Sequence, residues 1–137
     1  MFGYTRGGAN ISNVGVINSY LKGKNCIGGI LGRNNNSGVN VQRCFSEATV
    51  IGNEGVGGIS GSTYGGKIVD CYNAGSVTGA KFVGSIRGHN TNSSGAMDNC
   101  FNVGEVIGTG TDNIGGIRGD GNGTISNCYC ISTKLTD

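Results

Sequence analysis

The chain has 137 residues, ten basic and eight acidic, a formal charge of +2, 29 glycines, six cysteines and no proline. No Lys/Arg run exists, so nothing supports nucleic acid or an anionic membrane surface as a partner, and the apolar stretches are far shorter than the ~18 residues of a spanning helix. Glycine, at 29 of 137 residues, stays under the roughly 25–30% of disordered low-complexity chains, and it recurs at fixed positions.

Residues 1–23 read as a partial N-terminal coil, and four copies of one pattern follow over 24–52, 53–79, 80–108 and 109–137, making one repeat domain of 1–137. Each copy opens on an apolar-Gly-Gly-apolar quartet: Ile27 to Ile30, Val56 to Ile59, Val83 to Ile86 (with Ser85 for the second Gly) and Ile114 to Ile117. Another Gly comes two residues later, at Gly32, Gly61, Gly88 and Gly119. Segments rich in Asn, Ser and Gly, such as Asn34 to Gly38 and Asn90 to Gly95, then predict turns. Next comes an apolar residue, Val41, Ile68, Met97 or Ile125, and three positions on a Cys-aromatic pair: Cys44-Phe45, Cys71-Tyr72, Cys100-Phe101 and Cys128-Tyr129. The first three copies end on Val-x-Gly, at Val50, Val77 and Val106; the fourth lacks it.

The cysteines recur every 27 to 29 residues, and such a period means one short supersecondary unit stacked on copies of itself. Apolar stretches of four to six residues, rich in β-branched and aromatic types and interrupted by Gly, predict strands rather than helices. The expected fold is all-β: a parallel β-solenoid, or β-helix, of about four to five coils with a repeat of ~28 residues. A propeller blade needs about 40 to 50 residues, and a sandwich of hairpins requires no such recurrence.

The blocks Val56-Gly-Gly-Ile-Ser-Gly and Gly66-Lys-Ile-Val-Asp-Cys-Tyr-Asn-Ala-Gly-Ser-Val-Thr-Gly79 resemble the GLUG motif, a bacterial repeat written V-G-G-L-V-G, G-x-I-x-N-C-Y and G-x-V-x-G. Gly123 to Tyr129 matches its middle block, and Ile11 to Tyr20 resembles the cysteine-free segment that often precedes such arrays. The resemblance covers nearly the whole chain. It implies large secreted or surface-anchored bacterial proteins, among them adhesin-like proteins and some immunoglobulin A peptidases in which the repeats are accessory. It implies no known ligand. The chain begins inside the pattern, so any export signal is expected upstream.

Four cysteines share one repeat position and are expected to stack. Reduced, core-filling thiols are the favoured reading; oxidised pairs within the column are the alternative, since the coil spacing of ~4.8 Å suits a disulfide. Without C-x-x-C or His-x-His companions no metal site is expected, and no cofactor is implied. Cys130 occupies the place of Ser46, Asn73 and Asn102.

His89, the single histidine, is equivalent to Arg33, Ser62 and Asp120 and is expected in an exposed turn. The acids Glu47, Glu54, Asp70, Asp98, Glu105, Asp112, Asp120 and Asp137 do not recur as a pair flanking a groove, as glycoside cleavage requires. The candidate binding residues are the aromatic column Phe45, Tyr72, Phe101 and Tyr129. Each shares its strand parity with the apolar residue four before it, which favours a buried column; an exposed platform for sugars or peptides is the alternative.

The functional expectation is a noncatalytic, extracellular repeat segment of a bacterial surface protein, an adhesin-like binding or presenting stalk whose partner is a host or matrix protein or a glycan. Two alternatives stand beside it: a polysaccharide-binding or polysaccharide-cleaving β-helix module, and a structural repeat that self-associates end to end through unpaired edges.

Overall fold

A computed structural model describes residues 1–35 and 38–131, together with the backbone of 135–136. Asn36 and Ser37 of the first expected turn, and the acid Asp137, lie outside the described residues.

All regular structure among the described residues is β-strand, wound into a parallel solenoid of about four turns. Each turn visits four sheets. Sheet I stacks Phe2–Thr5, Leu31–Asn34, Ser60–Thr63, Arg87–Asn90 and Arg118–Gly121. Sheet II stacks Asn10–Ser12, Val39–Gln42, Gly66–Val69, Gly95–Asp98 and Thr124–Ser126. Sheet III holds two-residue strands at Gly15–Val16, Phe45–Ser46, Tyr72–Asn73, Phe101–Asn102 and Tyr129–Cys130. Sheet IV is built on the long strand Val77–Gly84, which pairs on one side with the long strand Val106–Gly115 and on the other with Thr49–Ile51 and Glu54–Gly57. Leu31, Ser60, Arg87 and Arg118 stand in register, 29, 27 and 31 residues apart, so the period averages 29 residues.

Two columns of left-handed residues make the corners. The residue after each sheet II strand, Asn13, Arg43, Asp70, Asn99 or Asn127, has φ between 49° and 58°. In sheet IV the column Cys26, Gly55, Phe82 and Asn113 has φ of 55°, 67°, 52° and 56°. Asn, Asp and Gly adopt this geometry at low cost, whereas other L-residues there are strained. The passage from sheet IV to sheet I is tight: a Cβ on Gly57 would lie 2.0 Å from the carbonyl oxygen of Ser60. At the Gly-Gly site where the third copy carries Ser85, the hydroxyl donates to the carbonyl of Gly116 on the next coil.

Apolar side chains fill the interior as columns. Ile11, Val41, Ile68 and Met97 line sheet II; Ile30, Ile59 and Ile86 line the corner into sheet I; Cys44, Cys71 and Cys100 complete this cluster. Val50, Val77 and Val106 with Val56 and Val83 form a second cluster along sheet IV. A fully buried side chain of this size contributes roughly 1.5–3 kcal/mol, and each gains it only against the coils on either side. Ile125, in the terminal coil and covered from one side, is 43% exposed.

Candidate functional site

The structure reverses the favoured reading of the aromatic column. Cys44, Cys71 and Cys100 point inward, while Phe45, Tyr72 and Phe101 are half-buried on the outside and Tyr129 is 56% exposed. Strand parity fails here because the left-handed residue between Val41 and Cys44, namely Arg43, turns the chain. Val41 and Cys44 therefore both face the core, three positions apart, and Phe45 faces out.

On the outer face the four rings stack at centroid separations of 5.1, 5.1 and 5.5 Å, tilted by 7 to 9°. Each stacked pair is worth about 0.5–1.5 kcal/mol beyond its buried area. The faces of Tyr72 and Phe101 are taken by their neighbours, so they offer edges, and Tyr72 its hydroxyl, rather than a flat platform. The stack stops at Gly15, the register partner of Phe45, where a Cβ would lie 2.3 Å from the phenyl ring.

A second cluster lies where sheets IV and I meet, and sequence reasoning missed its central residue. Phe82 stacks on His89 with centroids 4.5 Å apart and 20° between planes, while Nζ of Lys81 sits 4.6 Å from the Phe82 centroid. His89 is therefore half-buried within a strand and not in an exposed turn. Its Nε2 lies 3.8 Å from Oδ2 of Asp120. Burial pushes the His89 pKa down, and the Asp120 carboxylate opposes that only in part. Beside these rings a notch of about 300 Å³ is bounded by Asn25, Cys26, Arg33, Glu54, Ser62 and Thr91. It exists because the coil below carries Gly55 where its neighbours carry Cys26 and Phe82. One sequence signal existed: Phe82 is the single aromatic in its column.

A groove of about 500 Å³ runs over the outside of sheet II, bordered by Asn40, Lys67, Ser94, Ala96 and Thr124, with the glycines Gly66, Gly95 and Gly123 along it. Among the acids, the structure joins Asp70 to Asn99 at 2.5 Å and Asp98 to Ser126 and Asn127 at 2.9 Å, as rungs between coils.

The cysteine thiols point at backbone. Sγ of Cys71 donates to the carbonyl of Val69 at 3.1 Å, and Cys44 and Cys100 repeat the contact at 3.3 Å. All six cysteines are free. Hydrogen bonds with Cys100 and Cys44, together with burial, hold the Cys71 thiol far above its ordinary pKa. The register places Cys130 after Asn102 in its column, and Asn102 donates to its Sγ at 3.3 Å. Among the described residues no group of three or more His, Cys, Asp or Glu side chains is placed to hold a metal ion.

Fold and surface together define a parallel β-solenoid repeat segment. No protein-family model matches the sequence, and no curated protein matches it. Among solved structures the chain is similar to the crystal structure of a putative immunoglobulin A1 protease from Bacteroides ovatus, with a TM-score of 0.76 and 25% sequence identity over 93% of this chain. It spans 44% of that chain.

Proposed function

We propose that this chain is a noncatalytic GLUG-type repeat segment of an exported bacterial protein, acting as an adhesin-like stalk that extends, presents and binds. The observation that carries this reading is the unbroken register of the outward columns. Phe45, Tyr72, Phe101 and Tyr129 pair rung by rung over four coils, which gives a stiff rod with a repeated surface. The structural neighbour supports the accessory role, since this chain matches 44% of the length of a putative immunoglobulin A1 protease. Extracellular location and a host protein, matrix protein or glycan as partner belong to the same proposal.

The test is an array of glycans and matrix proteins probed with the solenoid, run beside turnover assays on polysaccharide and peptide substrates. Retention on at least one class without turnover, unchanged by His89→Ala, is expected. Turnover abolished by one acidic substitution such as Asp98→Asn would refute the noncatalytic reading. The sheet II groove with Lys67 and Thr124 favours a second reading, a polysaccharide-binding module; glycan retention lost with Lys67→Ala or Thr124→Trp supports it.

A further inference from the structure

Ser60, Arg87 and Arg118 follow Leu31 in one column along sheet I, one residue per coil. Leu31 fills its place with hydrocarbon. Ser60 and Arg87 are fully buried, yet Oγ of Ser60 and both Nε and Nη2 of Arg87 have no hydrogen-bond partner among the described residues. Nη1 of Arg87 reaches Oγ1 of Thr63 at 3.4 Å, a long contact. Buried polar groups are ordinarily satisfied, and an ion without a counter-charge is among the most costly things to bury.

Among the described residues no carboxylate supplies a counter-charge. The ion pair among the described residues is His89 with Asp120, and no described carboxylate lies in ion-pairing range of Arg87 or Arg118. Sγ of Cys100 lies 3.4 and 3.3 Å from the carbonyl oxygens of Ile68 and Asp98, directed at backbone acceptors, and its effect on the Arg87 pKa is outweighed by burial and by Arg118. Arg118 donates Nη1 to the carbonyls of Asn122 and Gly123 at 3.2 Å, adding a second cation above the first. Burial and Arg118 lower the Arg87 pKa to about 10, which leaves the group charged at neutral pH. The guanidinium also has its place built for it: a Cβ on Gly95, on the facing sheet, would lie 3.3 Å from Nη1.

We propose that the solenoid interior beside Ser60 and Arg87 binds a small monovalent anion of the halide class, chloride being the abundant one. The anion accepts hydrogen bonds from Oγ of Ser60 and from Nε and Nη2 of Arg87, whose rungs are one strand spacing, ~4.8 Å, apart. A monovalent ion matches the single fully buried charge and gives up less hydration than a divalent oxyanion. This site is independent of whatever the outer surface binds.

The test is thermal unfolding of the whole chain as sodium chloride replaces sodium gluconate at constant ionic strength. The midpoint is expected to rise by about 4 to 5 °C for each tenfold increase in chloride above its dissociation constant. The dependence should vanish in Arg87→Met and weaken in Ser60→Ala. Crystals grown in bromide should show an anomalous peak within hydrogen-bonding reach of Nε of Arg87. The same chloride dependence in Arg87→Met, or bromide-grown crystals with no peak beside Arg87, overturns the proposal. If Arg87→Met does not fold, the bromide map decides alone.

Discussion

Asn73 donates from Nδ2 to Oδ1 of Asn102 across 2.8 Å, and both side chains are completely enclosed by the coils they join. Each amide also closes its own turn: Asn73 donates to the carbonyl of Gly75 and Asn102 to that of Gly104, both at 2.8 Å, and the Gly104 N–H returns a bond to Oδ1 of Asn102 at 3.2 Å. In these two coils one buried side chain thus holds both the tight turn after sheet III and the neighbouring coil. Asn102→Ala removes the bonds to Asn73 and Gly104 and strands the Gly104 amide and carbonyl. At about 1 kcal/mol per net bond, plus the unpaired groups left behind, a loss of about 2–4 kcal/mol is expected in urea unfolding. A loss under about 0.5 kcal/mol would show that the ladder is ornamental.

The period and the parallel stacking were legible because each core position repeats one chemical type: Val41, Ile68 and Met97 are interchangeable packing units at one register. The side on which the aromatics lie was not legible. It depends on the backbone at Arg43, and arginine does not advertise a φ of 51° as asparagine does at Asn13, Asn99 and Asn127. The pairing of His89 with Phe82 was hidden for a different reason. It joins the two strands on either side of the Gly84-Ser85 corner, so it belongs to one coil and leaves no trace in the repeat. Arg87 did leave a trace, a charged residue where Leu31 stands in an earlier copy.

The cysteine column makes a chemical prediction. Unfolded protein assayed without reductant is expected to titrate nearly six thiols, as the six free cysteines require. In the native state Cys26 and Cys130, partly exposed, should alkylate well before Cys71, which is buried and held protonated by its neighbours. Cys71→Ser, which buries a hydroxyl in an apolar cluster, is expected to cost about 1–3 kcal/mol. Two or more disulfides found by mass spectrometry would replace the packed thiol column with a cross-linked one.

His89 sets a pH dependence. Its folded pKa lies below the unfolded value, chiefly through burial, so the unfolded state binds more protons between the two. Stability contributed by the neutral imidazole is therefore fully present above the ordinary value of about 6.5 and is lost as pH falls through the folded pKa. Unfolding midpoints measured from pH 8 to 4 should drop more steeply for the parent chain than for His89→Gln. Parallel curves would mean that His89 titrates freely in the folded state.

The column of left-handed corner residues separates backbone geometry from side-chain bonding at Asp70. That residue is exposed, has φ of 53°, and its Oδ1 accepts from Nδ2 of Asn99 on the next coil at 2.5 Å. Asp70→Val keeps a Cβ, adds a branch and discards the bond; a β-branched residue in this region costs about 1–2 kcal/mol, so a loss of about 2 kcal/mol is expected. Asp70→Gly discards the same bond but relieves the backbone, while freeing the unfolded chain by about 0.5–1 kcal/mol, so it should fall within about 1 kcal/mol of the parent. Asp70→Asn retains both features and should be neutral. Comparing the three by urea unfolding isolates the cause: equal losses for Val and Gly would assign the corner's stability to the Asp70 to Asn99 bond, whereas a large gap between them assigns it to the turn that directs each aromatic outward.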